Sequence, residues 1–386
     1  MANNAIAISR EQQIFAVKET TAGTLVFPAG SDVLVAAGYG SINQQPSFTN
    51  SEEIQNSRDI LARFQNKTPA GDWSFPVYTR PSGTAGTPPS EDVLMECLLG
   101  TKTVNASTSV VYTLAMDKPA FSLWMKKGHT VFFASGATVG ALRASLAATG
   151  GHQLDFSGQF MQLGWAGTDA INGALSISAT AIVVDDAKKF TVGARVEFVE
   201  GSTVYNNTAA GYTVTAVNTT TETLTITPGL EVALDDDSVI RGYLPTASAV
   251  GTALENRKGY AKIDTVVTPL QSLSLSVDDM PQYLEDEIST DDYPTAYAEK
   301  QRSISGDLRV YFRENDLAYF HDGLNTNDVA LDVVVGDTGG SILTYAMPVA
   351  SLSVPTVADA DPTIALGMNF QVLGSSGEDS ISITFT

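Results

Sequence analysis

The residues equipped for chemistry are few and scattered. His129, His152 and His321 fall in no His-Glu-x-x-His or comparable ligand spacing. Cys97 is the single cysteine, so no second thiol is present for a metal site or a disulfide. The acidic runs Asp235 to Asp237, Asp278-Asp279 and LEDEISTDD (284–292) carry oxygen ligands suited to calcium. None has the loop of alternating oxygens around a Gly that a calcium site needs. Glu285, Asp286, Glu287, Asp291 and Asp292 would also supply paired carboxylates for glycoside hydrolysis, but nothing sets their separation. GTDAINGALS (167–176) and VVVGDTGGS (333–341) match neither the dinucleotide fingerprint nor the phosphate loop, and no Gly-x-Ser-x-Gly elbow occurs. Lys126 and Lys127, beside Trp124 in SLWMKKGH, read as a solvated turn tip more simply than as a phosphate contact. No catalytic residue, cofactor site or metal site is assigned, and solvated acidic loops are the simpler reading of the charge runs.

The elements that would position any site are mostly strands. Alternation marks SVVYTLAMD (109–117), ALRASLAAT (141–149), LDFSGQFMQLGW (154–165), ALSISATAI (174–182) and LSLSVDD (273–279). In QSLSLSV the leucines and Val277 take one face and the serines the other, as in a half-buried strand. The best helix is SEDVLMECLLG (90–100), with Ser90 as a cap, Val93, Leu94, Cys97 and Leu98 on one face, and Gly100 as the stop. ENDLAYF (314–320) predicts a second short helix.

Composition narrows the class. The chain has 386 residues with 43 acidic against 22 basic side chains, a net charge of -21. Ordinary apolar content makes this a folded protein, long enough for two or three domains. Such a charge opposes adhesion to nucleic acid but suits DNA that must slide past without sticking. No Lys or Arg follows Arg313, which leaves a long acidic C-terminal stretch. The opening MANNAIAISREQQ lacks the basic-then-apolar pattern of an export signal, and no apolar run reaches the ~18 residues of a membrane helix.

Residues 41–90 are long and weakly patterned, yet rich in large apolar groups. Phe48, Ile54, Leu61, Phe64 and Trp73 are the candidate interface residues of an arm that wraps its own domain or packs on a neighbour. Residues 183–245 read as a small inserted β domain with acidic joints. They separate a first β unit, 1–182, from a second, 246–386. A local echo supports two units: HQLDFSGQFMQL holds Ser157-Gly158 and QRSISGDLRVYF holds Ser305-Gly306. Two similar β units in one chain would let three chains build a ring of six units, whereas a single unit would require six chains.

At this point the order of elements resembles the tail tube proteins of long-tailed bacteriophages, of siphophage type. The resemblance rests on GSDVLVAAGYGSINQQPSFTNSEEI (30–54), AGDWSFPVYTRPSG (70–83) and PPSEDVLMECLLG (88–100). EKQRSISGDLRVYF (299–312) and PTIALGMNFQVLGSSGEDSISITFT (362–386) fit its closing strands. It implies a mainly β tail-tube sandwich or barrel fold, duplicated here, with a short helix and a decorating insert. It further implies rings, trimeric or hexameric, stacked into a hollow tube. No cofactor is implied; double-stranded DNA passes through without sticking, and tape-measure and baseplate proteins are the expected partners. The location implied is the virion tail, after assembly in the bacterial cytoplasm. Alternatives are a baseplate hub or tail completion protein of the same fold, a β-sandwich adhesin, and a polysaccharide-acting enzyme.

Overall fold

The computed structural model describes residues 10–386 except 55–57, 290 and 361. One long antiparallel sheet organises it. Its strands are β1 (Ser41–Asn43), β2 (Gly71–Tyr78), β3 (Ala141–Ala147), β4 (Gln153–Phe160), β5 (Leu270–Asp278), β6 (Ser303–Tyr311), β7 (Thr356–Ala360) and β8 (Thr363–Val372). Their spatial order is β1-β2-β4-β3-β5-β6-β8-β7, with every neighbouring pair antiparallel.

Period-two alternation explains why this sheet has two unlike faces. Trp73, Phe75 and Val77 of β2, Leu142 and Ala144 of β3, and Leu154, Phe156 and Phe160 of β4 point into one core. Leu273, Leu275 and Val277 of β5, Ile304 and Leu308 of β6, and Leu366 and Phe370 of β8 point into the same core. At Ala350–Leu352 the strand Leu343–Leu352 joins the far end of β8 and carries the sheet round into a second layer. That layer includes Asp328–Val335, Ser382–Phe385 and Ser109–Leu114. A separate five-stranded sheet contains Gln12–Lys18, Phe121–Lys127 and Thr130–Ala137.

Helix α1 (Asp92–Leu99) forms where the pattern predicts it, and Gly100 ends it at φ 102°, a conformation that glycine adopts without steric cost. Ser90 is not its cap: Glu91 holds that position, without a side-chain cap bond. The second predicted helix is a 3-10 turn (Glu314–Leu317) running into α2 (Ala318–Asn325). Of ALSISATAI only Ala181 and Ile182 enter a strand (Ala181–Val183), and Leu175 forms an isolated bridge with Leu234 instead.

The small seven-stranded sheet begins at Thr168–Ala170 and ends at Val239–Gly242, so it starts earlier than residue 183. Its core is shared with the five-stranded sheet: Phe198, Tyr212 and Ile240 cluster with Phe15, Trp124 and Phe133. The insert therefore packs on the side of the molecule away from the β1–β8 sheet's open face.

Ser157-Gly158 and Ser305-Gly306 occupy β4 and β6. In both, Gly points to the core side and Ser points away. Three antiparallel steps separate the two strands, so they run in opposite directions. Leu142 pairs with Val277 at the local dyad between them. This echo is thus not the correspondence that two units in a ring would need.

Candidate assembly interface

Two hairpin arms leave the sheet, each between consecutive strands of it. The first lies between β1 and β2 and pairs Phe48–Asn50 with Arg63–Gln65. Phe48, Leu61 and Phe64 are more than half open to solvent or close to it, and Ile54 is fully exposed. Arg63 lies over the Phe48 ring at 4.3 Å, a cation–π contact at an exposed site. Four of the five predicted interface residues therefore share one projecting arm. Trp73 does not. It belongs to β2, is 1 % exposed, and donates its indole N–H to the Thr138 carbonyl at 3.1 Å. Its strand alternates strictly, and Trp73 falls on the core side between Gly71 and Phe75.

The second arm lies between β5 and β6 and pairs Gln282–Tyr283 with Tyr297–Ala298. Ile288 is fully exposed on it, as Ile54 is on the first. Its root is fixed by a buried ion cluster. Lys118 Nζ lies 3.0 Å from Asp279 and 2.9 Å from Glu299, and Arg302 lies 2.7 Å from Asp279 and 3.1 Å from Glu378. Burial holds the Glu299 carboxyl above its ordinary range, against the opposing pull of Lys118. Tyr283 donates its hydroxyl to the Gly136 carbonyl at 2.7 Å.

The arms touch one another. The Thr68 amide donates to the Asp292 carbonyl at 2.8 Å, the Ala70 amide to Glu285 at 2.8 Å, and Lys67 to the Glu287 carbonyl at 3.2 Å. The Glu285 carboxylate and the Glu287 and Asp292 carbonyls thus receive the root of the first arm. No cluster of three or more metal-ligating side chains occurs among the described residues.

The face of the β1–β8 sheet turned from the core is polar and built of small side chains. Ser74, Ser157, Ser276 and Ser305 alternate with Gln153, Gln159, Asn369 and Gln371. Its charges are Asp72, Asp155, Asp278 and Asp307 against Arg143 and Arg309. The carboxylates are engaged by neighbours on the same face. Gln153 donates to Asp155 at 2.8 Å, Gln159 to Asp72 at 3.3 Å, Ser276 to Asp278 at 3.1 Å, and Ser274 to Asp307. Such a surface is net acidic, and its two arginines stand apart on β3 and β6.

Of the three histidines only His152 serves packing, while His129 and His321 are exposed. His152 is fully buried, with Nδ1 2.7 Å from the Thr79 hydroxyl and Nε2 3.4 Å from the Tyr345 hydroxyl; burial lowers its pKa to about 3. Glu91 is buried nearby, accepts from the Arg80 amide at 3.2 Å, and is pushed up to about 7 by desolvation. Cys97 lies in the core, where burial pushes its thiol pKa far up. No helix among the described residues is long and apolar enough to cross a membrane.

The repetition of strand and arm escaped residue-level reading, because it resides in the order of elements and not in residue identity. No curated protein matches the chain. A family model described as phage tail tube protein matches residues 9–386. The chain belongs to this family of structural proteins, which self-assemble into the tube of the virion tail.

Proposed function

We propose that each chain supplies two tube units and that three chains close one ring of the tail tube, through which double-stranded DNA passes. The observation that carries this is a head-to-tail repetition within the sheet. The first half runs β1, arm, β2, α1, a hairpin (Gly100–Asn105 with Ser109–Leu114), then β3 and β4. The second runs β5, arm, β6, α2, a hairpin (Asp328–Val335 with Leu343–Leu352), then β7 and β8. The spatial orders agree: β1-β2-β4-β3 and β5-β6-β8-β7. Four antiparallel steps lead from β1 to β5, so equivalent strands point the same way. A translation along the sheet, bent by its curvature, thus relates the halves. Units joined in this heterologous sense close into a ring, and rings stacked the same way extend without limit.

On this reading the tube units expected at 1–182 and 246–386 give way to the insert between Thr168 and Gly242, which decorates the outer side. The polar face of β1–β8 lines the channel. Its aspartates outnumber Arg143 and Arg309, so phosphate meets a net negative wall along which the duplex slides. Phe48, Ile54, Leu61 and Phe64 pack against the adjacent ring. Tape-measure and baseplate proteins are the remaining partners, and assembly in the bacterial cytoplasm belongs to the same reading. The test is electron microscopy of the purified protein with mass measured per ring. Hollow tubes with three chains per ring are expected. Monomers persisting across salt and concentration would overturn the reading.

A further inference from the structure

We propose that the joint between chains is a strand pair, β7 of one copy antiparallel to β1 of the next, with Val357 opposite Ile42. This rests on the ring reading above. The chain carries its own template, because its two halves are already joined edge to edge. There β3 pairs with β5 from Ala141 opposite Asp278 to Ala147 opposite Ser272. The corresponding outer edges are β7, which pairs with β8, and β1, which pairs with β2, neither with a further strand partner among the described residues.

Register follows from two cross-strand pairs on the core side. In the first half Trp73 on β2 faces Gly158 on β4; in the second Gly306 on β6 faces Phe370 on β8. Each pair sets a large ring over a glycine. Superposing them puts Ile42, the partner of Trp73, at the place of Leu275, the partner of Gly306. It also puts Leu366 at the place of Leu154, and hence Val357 at the place of Ala144. Ala144 pairs with Leu275 inside the chain. Val357 is accordingly set opposite Ile42 between chains.

The side chains fit this pairing. Val357 lies on the core side of its strand, beside buried Leu366, yet is 56 % exposed because the edge has no neighbour. Ile42 packs against the core from the opposite edge. An open edge with an apolar side chain is an aggregation hazard unless another strand covers it. The same register brings Asp359 to Gly40, whose carbonyl accepts from Lys127 at 2.6 Å. Lys127 has no carboxylate partner among the described residues, and desolvation lowers its pKa. Asp359 of the neighbour would supply the missing charge.

The test uses the double variant Ile42→Cys, Val357→Cys in assembled tubes. Directly opposed residues on antiparallel strands stand at Cα separations that a disulfide spans. Oxidation should join chains into a closed three-chain species, and neither single variant should do so. Tubes that form while their chains stay unlinked would overturn the strand pairing and leave the ring intact. Linkage of Ile42→Cys to Asp359→Cys in preference to Val357→Cys would overturn the register. Should the double cysteine variant fail to assemble, a charge exchange decides. Lys127→Asp and Asp359→Lys should each weaken assembly, and their combination should restore it. Absence of that rescue would count against the pairing.

Discussion

Gly306 faces Phe370 across β6 and β8, and a Cβ on Gly306 would lie 2.4 Å from that ring and 2.1 Å from the Ser274 carbonyl. The glycine leaves room for both the ring and the neighbouring backbone, which a Cβ would displace. Gly158 does the same for Trp73, with the Thr138 carbonyl 1.9 Å from the missing Cβ. Gly306→Ala and Gly158→Ala should each destabilise the subunit by about 1–3 kcal/mol through overpacking against backbone. Thermal melting of the unassembled protein reads this directly. An unchanged midpoint would show that the strands part without cost.

Lys118 is held between two carboxylates at the root of the second arm, and both it and Asp279 are nearly inaccessible. Lys118→Met removes the charge that balances Asp279 and leaves only Arg302 beside it. A loss of about 3–5 kcal/mol is the usual consequence of breaking a buried pair. Hydrogen exchange should rise across 279–302, the segment that receives the first arm, before it rises elsewhere.

Glu91 gives the fold a pH dependence of known sign. Its folded pKa of about 7 lies above the ordinary 4.5, because burial disfavours the charged form. The unfolded chain releases the proton first as pH rises. The stability from this group is therefore complete below about 4.5 and lost as pH climbs to about 7, up to roughly 3 kcal/mol. Glu91→Gln should flatten that slope between pH 4.5 and 7. Parallel wild-type and variant curves over that window would refute the assignment.

Ile54 and Phe64 face solvent in the subunit, so Ile54→Ser with Phe64→Ser should leave its melting point within about 0.5 kcal/mol of stability. Single rings should still form, while tube length should fall sharply. Sedimentation separates the two species. Tubes of normal length would remove the arm from ring stacking.

Much of the wall was legible because water on one side and core on the other impose strict alternation. Leu273, Leu275 and Val277 against their serines, and Phe156 against Ser157, announce β5 and β4 without tertiary information. Trp73 reads from sequence as part of the arm for a physical reason. Its strand opens on Gly71 and contains Pro76, both poor strand formers, and only pairing with β4 on one side and β1 on the other fixes its inward direction. The edge β7 carries just TVADA, too short and mixed to announce a strand. The Ser-Gly echo marked two real core-side glycines but linked strands of opposite direction. The repetition that matters left no residue match, since the large and small partners changed strands: Trp73 stands where Gly306 does, and Gly158 where Phe370 does.

The central claim is that two units of one chain take successive places around the channel. Cryo-electron microscopy of assembled tubes, viewed end-on and reconstructed without imposed symmetry, tests it most directly. The account predicts threefold rings in which α1 and α2 alternate around a continuous wall of β1–β8, with the insert appearing three times outside. A ring of six chains, with the insert appearing six times, would contradict it.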